Sequence, residues 1–302
     1  MRFPDPFTAP GRWYKGNLHT HTTVSDGVLE PAEVVRRYRQ AGYHFLALSD
    51  HGAVTQVEGM DDRRFLLLLA TEMDGDRSDL GEPVHVLGFG LERAGPVPPR
   101  PGVEEAIAWV KDHGGESLIA HPAWSGLVIS DLLRWNGHLG LEVFNSACDV
   151  SIGKGYSAAH WDDALTRNRR MWGFAVDDAH HRPSDHHPVD TARAWVMVKA
   201  PALTREALLH SLREGLFYSS WGPAIRDIGV RDGVVTVHTS PVKVINFISQ
   251  LWLGSTFLPM DGKTITTAGY RLQGHERYLR IECRDSKGRW AWSNPIFLNG
   301  SG

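Results

Sequence analysis

Only two of the 302 residues are cysteines, Cys148 and Cys283, and no Cys-x-x-Cys spacing occurs. That excludes a disulfide-built scaffold and a thiolate zinc ribbon; buried free thiols are the expected state, with a single disulfide between them as the alternative. No apolar run approaches the ~18 residues that a membrane helix needs. The formal net charge is only −3, so no global basic field points to nucleic acid or an anionic bilayer. Neither a stable nucleic-acid complex nor a membrane partner is expected. The opening residues 1–16 lack a charged start followed by an apolar stretch and a small-residue cleavage site, so no secretory signal is read and the cytoplasm is the expected compartment. There is no Gly-x-Ser-x-Gly elbow, no Walker loop and no dinucleotide fingerprint. Internal repeats and low-complexity tracts are also missing.

What is abundant is histidine, with 16 residues, and tryptophan, with 11. The first histidines fall in Gly16-Asn-Leu-His-Thr-His-Thr-Thr-Val-Ser-Asp-Gly27. In an extended strand side chains two apart share a face, so His19 and His21 can converge on one point. Ser25-Asp26-Gly27 is a turn-forming cluster, and Asp26 can swing back toward the same pocket.

Downstream, short apolar runs alternate with helical patterns. Runs read as strands lie at 45–49, 65–71, 83–88, 117–120, 140–144, 172–176 and 194–199. Helices are expected at 31–41, 103–113, 158–168 and 204–214, with Pro31 at a first helical position, Gly42 as a stop and Thr204 as a cap. Alternation of this kind predicts βα units around a parallel sheet, and roughly seven or eight units fit a barrel better than an open sheet. After Trp221-Gly-Pro223 the pattern changes to short β-rich runs separated by turns, expected to form a small all-β, sandwich-like appendage. The expected division is 1–222 and 223–302.

Most residues with chemical potential stand at or just after strand ends, the face that carries the active site in βα-barrels. In order they are His19, His21, Asp26, His51, Glu72, His85, His121, Asp178 and His180. A lone histidine after a strand is usually a hydrogen-bonded loop residue, and His44, His113, His138, His160, His210, His238 and His275 are read that way. Nine imidazoles and carboxylates on successive strands are harder to dismiss. Mixed ligation of this kind suits Zn, Mn or Fe, and nine donors exceed the needs of one ion, so two or three divalent ions are expected.

The motifs His-Thr-His (19–21) with Ser-Asp-Gly (25–27), Leu-Ser-Asp-His (48–51), Glu72, His85, Ala-His-Pro (120–122) and Asp-Ala-His (178–180) together resemble the PHP family of polymerase and histidinol phosphatase domains. Ala-Trp-Ser-Asn-Pro-Ile (291–296) resembles its CehA/McbA-type metallohydrolase branch. The resemblance implies a distorted (β/α)7 barrel and a trinuclear site. One ion would be held by His19, His21, Glu72 and Asp178. A second would share Glu72 and add His85 and His121, and a third would take Asp26, His51 and His180. The residues alone support only the convergence of all nine.

Neighbouring residues are given lesser roles. Asp50 and Asp177 each precede a candidate ligand and are expected to orient an imidazole or a loop amide rather than to bind metal. Glu142 and Asn145 are candidates for the pocket or for structural hydrogen bonds. His181, His186 and His187 could rim the pocket or be solvated, and Lys154, between two glycines, could hold an anion or stand in solvent.

Ions held close together lower the pKa of a water between them from ~15.7 toward neutrality. A bridging hydroxide held by Glu72 and Asp178 would then be the nucleophile, with no Ser or Cys required. The leading expectation is a phosphoesterase acting on a small-molecule or nucleotide phosphate ester. The alternative is an ester or carbamate hydrolase acting on an aryl substrate, for which Trp124 and Trp161 could line an apolar pocket. A third is a binding protein with a structural metal, disfavoured because nine donors over three ions leave coordination positions open.

Overall fold

A computed structural model describes residues 3–182 and 189–298 of the chain. The first half contains β1 (Arg12–Asn17), α1 (Pro31–Gln40), β2 (Phe45–Leu48), β3 (Leu66–Arg77), β4 (Pro83–Leu91), α2 (Val103–Asp112), β5 (Glu116–Ile119), α3 (Ile129–Arg134), β6 (Gly140–Asn145) and α4 (Ser146–Ile152). There follow α5 (Ala158–Thr166), β7 (Trp172–Val176), β8 (Trp195–Ala200), α6 (Arg205–Arg213) and β9 (Phe217–Ser220). The rest is β: β10 (Ile225–Arg231), β11 (Val234–Val242), β12 (Val244–Ile248), β13 (Gly254–Phe257), β14 (Ile265–Arg271), β15 (Tyr278–Arg284), β16 (Trp290–Ser293) and β17 (Ile296–Phe297).

The architecture is mixed α/β around one sheet of 14 strands, running β13-β12-β15-β16-β9-β8-β1-β2-β3-β4-β5-β6-β7 with β17 on β15. Strands β1, β2 and β3 are mutually parallel, as are β5, β6 and β7. Every residue of β2 and β7 is buried, as expected of continuous apolar runs covered on both faces. The expectation of a parallel sheet fails at β8, antiparallel to β1 and β9, and at β4, which is antiparallel to both β3 and β5. At β4 the reason is local. β3 runs on to Arg77, and the turn closed by Ser78 N–H on the Glu82 carbonyl (2.8 Å) returns the chain at Pro83. So short a connection cannot make a parallel crossover.

The segments beyond β1 and β7 also meet. Thr20 and Ala179 form a parallel bridge, and the Asp178 N–H donates to the His19 carbonyl at 2.8 Å. Asn17 supports the junction, accepting from the Asp177 N–H at 2.9 Å and donating to the His19 carbonyl at 2.8 Å. Buried Leu18, Phe45, Val86, Leu118, Phe174 and Phe217 belong to the main core. Trp161 is wholly buried in it, its indole N–H on the Met171 carbonyl at 3.0 Å. Gly173 permits that packing, because a Cβ there would come within 2.6–2.8 Å of the Trp161 ring. Trp161 is therefore a core residue, not a pocket wall.

C-terminal strands β12, β15 and β16 continue the large sheet through the pairing of β16 with β9. Strands β10, β11 and β14 form a separate three-stranded sheet. Val235 and Val237 of β11 and Tyr270 of β14 share a buried cluster with Ile245, Phe247 and Ile281 of the large sheet. Alternate burial along β11 and β14 shows one face turned inward and one to solvent. Cys148 and Cys283 are buried free thiols. Among the described residues no helix is long and apolar enough to cross a membrane.

Candidate metal centre

The nine residues singled out in the sequence reach one place from six strands. His19 and His21 follow β1, and His51 follows β2. Glu72 lies in β3 and His85 in β4, while His121 follows β5 and Asp178 and His180 follow β7. Asp26 comes from the turn after His21. Of the nine, His121 and Asp178 have positive φ, +28° and +53°. Positive φ is uncommon for residues other than glycine and gathers at functional sites.

Three groups of ligand-type atoms each lie within 4.8 Å of one another: His19, His21, Glu72 and Asp178; His21, Asp26, His51 and His180; and His51, Glu72 and His85. Glu72 links them. Its Oε2 faces His19 Nε2 at 3.1 Å, His21 Nε2 at 3.3 Å and His51 Nδ1 at 3.3 Å. Its Oε1 faces His85 Nδ1 at 2.9 Å and His121 Nε2 at 3.2 Å. Asp178 Oδ1 is 3.2 Å from His19 Nε2 and 3.0 Å from His21 Nε2. Asp26 meets His180 Nε2 at 3.1 Å and, more loosely, His51 Nε2 at 3.9 Å. His21 and His51 each serve two groups, so the arrangement is more interlocked than three separate sets.

The donor set fits bound cations. His19 Nε2 and His21 Nε2 stand 3.2 Å apart, two imidazole nitrogens turned on one point. The Nδ1 of His51 is buried without a hydrogen-bond partner, which is costly unless something outside the protein fills it. His19 gives its other nitrogen to Glu142 Oε1 at 2.7 Å, and that bond leaves Nε2 directed at the cluster.

The electrostatics agree. Burial drives the His19 imidazole down, but the Asp178, Glu72 and Glu142 carboxylates outweigh it and hold its pKa well above the ordinary value. His21 behaves alike: burial lowers it, hydrogen bonds to Asp178 and Glu72 raise it, and the net is about 9. Burial raises Glu72, yet the surrounding imidazoles hold it well below the carboxylate range. The cluster draws in positive charge, and protons compete with metal for the same nitrogens.

The neighbours sort by what they touch. Glu142 Oε2 accepts the His121 N–H at 2.8 Å and an Asn145 amide hydrogen at 2.9 Å, and Asn145 also donates to Asp178 Oδ2 at 3.1 Å. These two buried side chains orient three of the nine. Asp50 is a loop organiser: it accepts from the Thr22 N–H at 2.7 Å, the Thr22 hydroxyl at 2.8 Å and the Ser25 hydroxyl at 2.7 Å. Asp177 accepts from the Arg193 and Ala194 N–H groups and the Tyr38 hydroxyl, and burial pushes its carboxyl up to about 7. His181 is buried with Nδ1 2.6 Å from the Thr191 hydroxyl and belongs to none of the three donor groups. Lys154 is exposed and is not among the residues lining the cavity. His186 and His187 lie outside the described residues. Of the seven histidines read as bland, His44, His113, His138, His160 and His238 hydrogen-bond elsewhere in the chain.

Two side chains escaped sequence reasoning. Asp74 Oδ1 lies 3.4 Å from His85 Nε2 and 3.6 Å from His51 Nδ1; its signal was the i, i+2 spacing from Glu72 along one strand face. Arg182, with Nη2 3.1 Å from Asp26 Oδ2, lines the cavity above the cluster. That cavity, of about 390 Å³, falls in the range of small-molecule sites.

No protein-family profile matches the chain. It is 31% identical over 84 residues to a 5'-3' exoribonuclease of Haemophilus influenzae, covering 27% of this chain and 31% of that protein. It is 28% identical over 105 residues to an uncharacterized protein of Methanocaldococcus jannaschii, covering 35% and 44%. The chain thus matches less than half the length of these curated relatives. Among solved structures it resembles a two-domain protein of Bacteroides vulgatus containing a predicted PHP-like metal-dependent phosphoesterase, with a TM-score of 0.51 and 15% identity over 95% of both chains. An amidohydrolase of Chromobacterium violaceum aligns with a TM-score of 0.44 and 18% identity, over 57% of this chain and 89% of the other. The chain therefore shares its overall fold with that Bacteroides protein, and it carries side-chain clusters suited to divalent metal ions.

Proposed function

We propose that this chain is a metal-dependent phosphoesterase that cleaves a phosphate ester of a small molecule or nucleotide. The observation that carries the reading is Glu72, a buried carboxylate whose two oxygens face different sets of imidazoles beneath one cavity. A divided carboxylate of that kind suits neighbouring ions. His19, His21, Glu72 and Asp178 would hold one ion, Glu72, His85 and His121 a second, and Asp26, His51 and His180 a third, with Zn, Mn or Fe as candidates. Bound there, such ions would supply Lewis acidity toward a phosphoryl oxygen and a water activated near neutral pH. The chain's own groups keep the donors aimed: Glu142 fixes His19 and the His121 backbone, Asn145 pins Asp178, and Asp50 shapes the loop that delivers Asp26. Arg182 offers a cation to the phosphoryl group. The likeness of one segment to an exoribonuclease supports phosphate over carboxyl chemistry. On this reading β1–β7 form a distorted seven-stranded barrel of the PHP type, within 1–222, and 223–302 is its β appendage.

The test is turnover of p-nitrophenyl phosphate, its bis ester and nucleotides by Mn- and Zn-loaded protein. Activity above that of a His19→Ala/His21→Ala double variant is expected. Equal rates for both, or turnover of naphthyl acetate with no phosphatase activity, would reject the reading, the latter in favour of carbonyl chemistry. Glu142→Gln should weaken metal binding by about 10–100-fold through loss of imidazole orientation, measured by chelator competition. Unchanged affinity would remove Glu142 from that role.

A further inference from the structure

One side of the cavity takes no part in the donor clusters. Trp124 stands in the turn after β5, its N–H on the His121 carbonyl at 3.0 Å. Its ring meets the His121 ring at 5.0 Å and 76°, and the His85 ring at 6.0 Å. Yet 40% of the residue remains exposed. Ala147, Cys148 and Val150 of α4 line the same cavity. The helix is held in place by Asn145, whose side-chain oxygen accepts the Cys148 N–H at 3.0 Å while its amide reaches Asp178. An apolar wall is thereby tied to the donor cluster through one side chain. An indole fixed against two imidazoles, with surface free at a cavity, is a platform on which a planar ring can stack. Phosphate needs no such surface, so the wall serves the organic part of the ester.

We propose that Trp124 and the α4 face form a subsite for a planar aromatic group of the substrate, supplied by a nucleobase or a simple aryl ring. The inference rests on the phosphoesterase reading for the group next to the ring. It is tested by calorimetric titration of Mn-loaded protein with phenylphosphonate, methylphosphonate and adenosine monophosphate, using wild type, Trp124→Ala, Trp124→Phe and, as control, the exposed Trp252→Ala. The preference for phenyl- over methylphosphonate should fall about tenfold in Trp124→Ala, the scale of one aromatic stack. It should be largely kept in Trp124→Phe and unaltered in Trp252→Ala. A parallel fall in affinity for the nucleotide assigns a nucleobase; a fall for phenylphosphonate alone assigns a simple aryl group. An unchanged ratio in Trp124→Ala overturns the subsite. Binding of neither phosphonate would instead sink the phosphoesterase reading, and the ratio of naphthoate to acetate then decides the subsite by the same criterion.

Discussion

Glu72→Gln is expected to lower metal-dependent turnover by about a thousandfold or more and to release at least one metal equivalent per chain. On the proposed phosphoesterase reading, losing Lewis acidity and an activated water would remove several kcal/mol of transition-state stabilisation, which is a factor of this size. Glu72 is 1% exposed and lies within 3.3 Å of five imidazole nitrogens, those of His19, His21, His51, His85 and His121. The amide keeps the volume but removes the charge and one acceptor. A merely structural role would show as a lower melting temperature with metal content preserved. Metal analysis beside circular dichroism separates the two, and full metal content with full activity would contradict the assignment.

Arg280→Ala is expected to be strongly destabilising although it lies outside the site. Arg280 lies on β15 and is wholly buried, with Nε 2.7 Å from Asp162 Oδ1 of α5 and Nη1 on Glu282. Its guanidinium also sits 5.0 Å from the Trp161 ring centroid. Breaking a buried ion network by removing one partner costs about 3–5 kcal/mol, because charge is left uncompensated. For a chain this long that is a fall in melting temperature of roughly 5–8 °C. Arg280→Lys keeps the charge but not the bidentate fork, so a smaller fall is expected. A melting temperature unaffected by Arg280→Ala would mean that β15 and α5 are not coupled as described.

The donor residues were legible because their signals are local. Two histidines at i, i+2 share a strand face, and the other candidates punctuate the ends of apolar runs. The helices at 31, 103, 158 and 204 were legible through caps, stops and periodicity, and Thr204 does cap its helix, accepting the Ala207 N–H at 3.3 Å. What was hidden is non-local. Nothing in Pro83–Leu91 tells that β4 runs antiparallel, since an apolar run reads alike in both directions. α4 carries no helix signal in the sequence, because Ser-Ala-Cys-Asp-Val-Ser-Ile is short and rich in weak helix formers; it is set by the Asn145 cap and by tertiary packing. Trp124 and Trp161 were indistinguishable by composition, yet one lines the cavity and the other fills the core. Asp74 carries only a weak signal, its i, i+2 spacing from Glu72 on one strand, and gains meaning when the fold places His51 and His85 beside it.

Metal analysis of the freshly purified chain, paired with Asp26→Ala, tests the central claim most directly. Asp26 is the acidic member of the group that includes His51 and His180. Two or three divalent equivalents per wild-type chain are expected; if three are found, Asp26→Ala should lose one and retain those centred on Glu72. Fewer than two equivalents in the wild type would contradict the account. Three that survive Asp26→Ala would contradict the place given to Asp26.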